Sequence, residues 1–337
     1  MKLVSVLAAA VGLAVIAALV AHFGAASVTR SLLAVGGVGF AVICLIQLVL
    51  IAVMGIAWWV LLPGTSPWAA IWARLVRDSA SEVLPLSQVG GYVLGGRALA
   101  VCGLSGDTAA ASTIVDVTLE FFAQLAYTAI ALLWLLDLEP YARILFPVAI
   151  GLIIGIGLAG GFLVAQRRGF GLLGRFAGAL GRGWADTTAA GAAALHAAIA
   201  DIYARRAAVC ASFVLHLASW IASAAEIWLA LRFMKVPLGF DAVLVIESLL
   251  YAIRSVAFAV PNAVGVQEGA YILLGAGFGL TPETALALSL LKRARDFVIG
   301  LPVLGAYELI ESGRLWRRAD AAAFRNSASL KAKPRSR

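Results

Sequence analysis

Long apolar runs alternate along the chain with two stretches in which proline, glycine and charge interrupt the pattern. Uninterrupted runs cover residues 3–23, 38–62, 112–136, 142–165, 207–232 and 283–307. Each approaches the ~20 residues that a helix needs to cross the hydrocarbon core of a bilayer, so each predicts a transmembrane helix. Lys2 precedes the first run as in a signal peptide, but the run is long for a signal core and no convincing cleavage site follows it. It is therefore read as a span. The interrupted stretches, 66–103 and 241–278, predict either re-entrant hairpins or pairs of complete spans, because irregular backbone at membrane depth survives only where protein or a cavity surrounds it.

Composition agrees with this pattern. Of the 337 residues, 62% are hydrophobic and 13% charged, against about 25% charged in a soluble domain. A soluble enzyme, a disordered chain and a disulfide-rich secreted domain are excluded. The fold class is all-α: a polytopic transmembrane helical bundle with six full spans and two broken or re-entrant hairpins, or with eight or more spans. A single transmembrane domain is expected over residues 1–312, with a basic linker at 166–206 and a basic tail at 313–337. Cys44, Cys102 and Cys210 lie far apart, as do His22, His196 and His216, so neither disulfides nor metal ligation are expected.

The net charge of +8 is concentrated near the ends of spans. Arg167, Arg168, Arg175, Arg182, Arg205 and Arg206 fall in the linker, and Arg314, Arg317, Arg318 and Lys331 are among the cations of the tail. Arginine and lysine collect on the cytoplasmic side, which places the linker and both termini there. Without interleaved aromatics these patches suit anionic lipid headgroups rather than nucleic acid.

The interrupted stretches resemble each other. A shift of 176 lays Pro85 on Pro261, Gly103 on Gly279, Leu104 on Leu280, Thr108 on Thr284 and Glu120 on Asp296. Counting spans outward from the linker, the first hairpin enters from the cytoplasm and the second from outside. Two inverted repeats follow, about 38–165 and 207–310, an arrangement that places broken helices near the midplane in many secondary transporters.

Candidate chemistry is concentrated where the apolar pattern fails. Arg74, Arg77, Asp78 and Glu82 are too many charges for a lipid-facing helix, and the break at Pro85 with Gly90 and Gly91 leaves Gln88 and Arg97 near a polar cavity or, alternatively, on a surface helix. Asp116, Glu120 and Gln124 recur every four residues and share a helix face. Glu247 and Arg254 stand two turns apart and are expected to pair, as are Lys292 and Asp296, leaving Arg293 and Arg295 to seek carboxylates or a lipid phosphate. Pro261, Asn262, Gly265, Gln267, Glu268 and Gly269 form the second broken tip, where Glu268→Gln is expected to keep stability near that of the unmodified protein but to impair lipid movement. These polar residues are read together as a lipid-headgroup cavity. No nucleophile–base pair, metal quartet or nucleotide loop accompanies them, so no catalytic residue, cofactor or metal is expected.

The Pro261–Tyr271 stretch, the Lys292-Arg293-x-Arg295-Asp296 cluster with Gly300-Leu301-Pro302, and Leu84–Arg97 followed by Ala109–Gln124 resemble one family. It is the hopanoid-biosynthesis-associated integral membrane proteins, a branch of the lysylphosphatidylglycerol synthase/flippase transmembrane superfamily. The resemblance covers roughly residues 5–310. It departs at Asn262-Ala263, where two glycines often follow the proline, and at Gly90-Gly91, where a Gly-Glu pair is common. The resemblance implies a bacterial inner-membrane protein, a lipid transporter or flippase handling hopanoids or anionic phospholipids, working beside lipid-biosynthesis proteins. The alternatives are a non-catalytic scaffold for lipid-modifying enzymes and a membrane-embedded transferase.

Overall fold

The computed structural model describes residues 18, 21, 25–84, 87–137, 142–168, 182–257 and 260–331. The expected span at 3–23 and the tip residue Pro85 lie outside these residues. Among them the secondary structure is entirely helical: α1 (Ala25–Leu33), α2 (Gly36–Trp59), α3 (Pro67–Val83), α4 (Ser87–Val101), α5 (Gly106–Asp137), α6 (Ala142–Arg168), α7 (Arg182–Ala204), α8 (Arg206–Phe233), α9 (Phe240–Val256), a 3-10 turn at Pro261–Ala263, α10 (Val266–Gly277) and α11 (Pro282–Lys331). Four of these, α2, α5, α6 and α8, contain segments long and apolar enough to cross a membrane. The protein is a polytopic membrane helical bundle.

α2 and α8 run antiparallel, with Phe233 packed against Gly39 at one end and Arg205 donating to the Leu61 carbonyl (2.7 Å) at the other. The Arg205 end also collects Trp58, Leu62, Ala98, Leu99, Ala109 and Tyr307 in one apolar cluster. The turns that open and close the α3–α4 hairpin therefore lie at this end. The α9–α10 hairpin begins a few residues beyond Phe233, at the opposite end. α3 and α9 each have 17 residues, or about 25 Å of helix, somewhat less than a hydrocarbon core. The chain then breaks and turns back. Both interrupted stretches are helical hairpins that open at opposite ends of the bundle.

Their tips meet inside it. The Asn262 side-chain amide donates to the Glu82 carbonyl, and Arg254 Nη2 lies 2.7 and 2.9 Å from the two Glu82 carboxylate oxygens.

The connectors that follow the hairpins are alike bond for bond. Gly103 and Gly279 both adopt positive φ, 106° and 81°, a conformation that glycine takes freely. Leu104 N donates to Leu99 O and Leu280 N to Gly275 O, closing α4 and α10 in the same way. The hydroxyls of Ser105 and Thr281 then accept from the backbone N–H of Thr108 and Thr284, so α5 and α11 also begin alike. Each partner is displaced by the 176 positions seen in the sequence.

The 166–206 segment is not an open loop throughout. α7 occupies Arg182–Ala204, and its Leu195, Ile199 and Ile202 pack with Leu61, just past α2, and with Ala111, Val115 and Leu119 of α5. That stripe has helical spacing, but an alanine-rich background hides it. Nor does the last helix end near 310, because α11 continues to Lys331. Helix formers carry it past the bundle.

The glycine pair in the first tip also departs from expectation. Helix resumes at Ser87, so Gly90 and Gly91 lie within α4. A Cβ on Gly91 would overlap the Ser81 hydroxyl and stand 2.7 Å from the Arg77 carbonyl, and one on Gly95 would stand 2.7 Å from Arg77 Cβ. These glycines let the two arms of the hairpin approach closely. At the second tip Gly265 (φ 84°) caps α10, whereas Gly269 lies one turn inside that helix. Asn262 and Ala263 turn the chain with φ of 49° and 44°.

Candidate functional site

On α3 the small residues Ala70, Ala73 and Ala80 let the helix sit against its neighbours, and Arg74 and Arg77 on the same side are almost fully buried. Two guanidiniums cannot remain in that position without carboxylates. α5 supplies them from positions one turn apart. Arg74 makes a fork with Glu120 (2.7 and 3.1 Å) and holds Asp78 at 2.8 Å. Arg77 reaches Asp116 at 2.6 Å and also bonds Glu120. The remaining oxygen of Asp116 is 3.0 Å from His216 Nε2 on α8. Asp116 is fully buried, not exposed at its helix start.

A cavity of about 350 Å³ opens beside this network. Arg74, Arg77, Asp78 and Glu120 form one wall, and Arg295, Asp296, Tyr251 and Arg254 form the facing one. Gln88 and Tyr92 from α4, with Gln124 from α5, add to its polar lining, while Leu50, Ile51, Phe121 and Trp220 supply apolar surface. Glu120 and Asp296, the residues matched by the 176-position shift, thus line one cavity. Arg295 donates to Glu226 of α8 and to Asp296 (2.8 Å). Gln124 exchanges hydrogen bonds with Ser255 (2.8 and 3.2 Å). A smaller cleft between the hairpin tips shares Ser81, Glu82, Gln88 and Arg254 with the cavity and adds Asn262.

A family description, the lysylphosphatidylglycerol synthase TM region, matches residues 5–303. The chain belongs to that family. Membership makes this a multi-pass membrane protein of lipid handling. No curated protein and no solved structure matches the chain.

Of the family member's expected site residues, Gln88, Glu120, Gln124, Arg254, Arg295 and Asp296 line the cavity, Asn262 borders the adjoining cleft, and Asp116 stands behind Arg77. The others lie elsewhere. Arg97 is exposed and pairs with Glu311. Glu268 is enclosed by its own bonds: it accepts from the Gly265 N–H (2.7 Å), Ser289 (2.9 Å) and Arg293 (2.6 Å), and so caps α10 and pins it to α11. Gln267 donates to the same Ser289. Glu247 holds Lys292 at 2.8 Å and accepts from the Tyr271 hydroxyl.

Both expected local pairs are therefore wrong. Lys292 bonds Glu247 rather than Asp296, and Arg254 bonds Glu82 rather than Glu247. Partners on other helices present better geometry than the same-helix neighbour, and each pair ties two elements together. Arg74, Arg77, Asp78 and Glu82 were read only as incompatible with lipid, although their spacing of three, four and four already put them on one inward face. His216 and Glu226 are not among the expected site residues, although with Ser212, Ser219 and Ser223 they recur at alternating spacings of four and three along α8, and all five are buried.

Proposed function

We propose that the protein is a flippase-like transporter of the bacterial inner membrane that passes the polar headgroup of an anionic lipid through the Glu120–Asp296 cavity. One observation carries this reading: a headgroup-sized polar cavity whose walls come from both interrupted hairpins and from the helices that follow them. Guanidiniums on facing walls suit a phosphate, which they bind by paired hydrogen bonds. The contacting tips at Glu82, Arg254 and Asn262 stand where a gate between the two sides is needed. In this reading the protein moves the lipid without changing its bonds, and the cavity's arginines and carboxylates, already joined to one another, receive the headgroup by exchanging partners. Hopanoid-linked lipid traffic is the biological setting favoured by the sequence resemblance, with lipid-biosynthesis proteins as working partners and both termini cytoplasmic.

The test is reconstitution of the purified full chain into vesicles containing fluorescently labelled phosphatidylglycerol, with leaflet exchange read by quenching from outside. Exchange above that of empty vesicles supports the proposal. A cavity variant, Arg74→Ala with Arg77→Ala, should lose it. Exchange at the protein-free rate by a folded wild type would reject the transport reading and favour a scaffold.

A further inference from the structure

His216 sits in the middle of α8, fully buried, and touches no part of the cavity itself. Its Nε2 is 3.0 Å from Asp116 Oδ1, a bond that needs one proton whichever partner carries it. Its Nδ1 is buried with no hydrogen-bond partner among the described residues. From Asp116 the chain of bonds continues through Arg77 to Glu120, whose carboxylate reaches the cavity.

The charges in this chain do not balance. Asp78, Asp116 and Glu120 are three carboxylates around the two guanidiniums of Arg74 and Arg77. An uncompensated charge at membrane depth is strongly disfavoured. Cations on neighbouring elements are already committed: Arg254 of α9 to Glu82, Lys292 of α11 to Glu247, Arg293 to Glu268, and Arg295 to Glu226 and Asp296. Arg205, ahead of α8, donates to a carbonyl. α2 carries one titratable side chain, Cys44, about three turns from the level of Met54. With the cavity empty, Asp78 and Glu120 border its open space, and the imidazole of His216, behind Asp116, is the group placed to add a positive charge when a further anion enters.

We propose that the His216–Asp116 pair is a proton-binding site linked to phosphate occupancy of the cavity, so that a proton travels with the lipid headgroup. This rests on the lipid-moving reading of the cavity. A phosphate entering between Arg74 and Arg77 takes donors from Glu120 and adds negative charge beside Asp116. A second proton, taken up at Nδ1 to form the imidazolium, offsets that charge. It leaves again when the phosphate departs, and no covalent bond of the lipid changes. Linkage is reciprocal: protonation strengthens phosphate binding by the factor with which phosphate promotes protonation.

Two measurements test the pair. In vesicles of phosphatidylethanolamine and phosphatidylglycerol carrying labelled phosphatidylglycerol, a one-unit pH gradient should drive the label away from the acidic side. One proton per lipid sets a limit of about tenfold between leaflets. His216→Gln should abolish the response to the gradient, whatever its rate of exchange. Exchange by wild type that ignores the gradient, or a His216→Gln protein that follows it like wild type, would overturn the coupling while leaving lipid movement intact.

The second measurement does not need transport. In the otherwise complete protein carrying His22→Gln and His196→Gln, nitrogen-15 NMR of histidine reads His216 alone. At constant pH, adding phosphatidylglycerol micelles should shift its signal toward the doubly protonated form. A His216 that remains singly protonated with and without phosphatidylglycerol would reject the proton site, even if exchange in vesicles were normal.

Discussion

At the scale of single residues, the buried ion pairs are mutually dependent, and removing one partner harms the protein more than the pair helps it. Arg77→Ala would leave Asp116 with His216 and, at 3.7 Å, the Arg74 guanidinium as its remaining partners at membrane depth. We expect a loss of about 3–5 kcal/mol, the cost of breaking a fully buried pair from one side, seen as a large fall in midpoint on thermal unfolding in detergent. A stable Arg77→Ala protein would mean that Arg74 takes over Asp116 in its absence. Glu268→Gln is expected to destabilise for the same reason, since glutamine keeps the bond to the Gly265 N–H but leaves Arg293 unpaired. A wild-type midpoint for that variant would return Glu268 to the list of functional carboxylates. Ala263 presents the opposite case. It is held at φ 44°, a left-handed conformation that costs an L-residue roughly 1–2 kcal/mol. Ala263→Gly should raise stability by about 1 kcal/mol after glycine's larger unfolded entropy is allowed for; an unchanged or lower midpoint would show that the methyl group packs favourably enough to offset the strain.

At the scale of elements, each interrupted stretch needs close approach between its arms or its tips. Gly91 and Gly95 bring α4 against α3, which presses Arg77 between Trp58 and the Tyr92 ring 4.6 Å away. Gly91→Ala would push the arms apart and displace Arg77 from Glu120. A loss of about 1–3 kcal/mol is expected, as for other overpacked contacts, together with slower lipid exchange. An unaffected protein would show that the Ser81 hydroxyl and the α3 backbone can give way. The tips offer a second test. Cysteines placed at Ser81 and Asn262, in a background lacking the three native cysteines, should cross-link on mild oxidation and arrest lipid exchange until reduced. Exchange that continues through the cross-link would show that the tips need not separate.

At the scale of the whole molecule, the two hairpins open at opposite ends, and the connectors after them repeat bond for bond at Gly103–Thr108 and Gly279–Thr284. The end that contains Arg205 and Arg206 is the basic one, which the positive-inside tendency assigns to the cytoplasm. Ser105→Cys and Thr281→Cys, both at exposed connector positions, should therefore react with a membrane-impermeant thiol reagent from opposite sides. Thr281→Cys should label in intact cells and Ser105→Cys only after permeabilisation. Labelling of both from one side would dismantle the inverted arrangement and with it the two-sided cavity.

How much of this was written in the sequence follows from the range of each interaction. The spans at 38–62, 112–136, 142–165 and 207–232 were legible because hydrophobic length is a local property, and so were the two broken hairpins, since proline, glycine and charge interrupt them locally. The 176-position recurrence was visible as well, because its connectors need the same residue types at Gly103 and Gly279. The helix at Arg182–Ala204 was obscured by an alanine-rich background around a sparse stripe. Pairing was beyond reach in principle. Lys292 has Asp296 one turn away and nevertheless bonds Glu247, 45 positions distant, while Arg254 bonds Glu82 across 172 positions. Along the chain, every carboxylate within reach is an equal candidate for a buried cation. Only packing decides which one shares its dry neighbourhood, and this is why the sequence could mark the charged positions while the tertiary structure alone decided that Glu120 and Asp296 face a cavity and Glu268 does not.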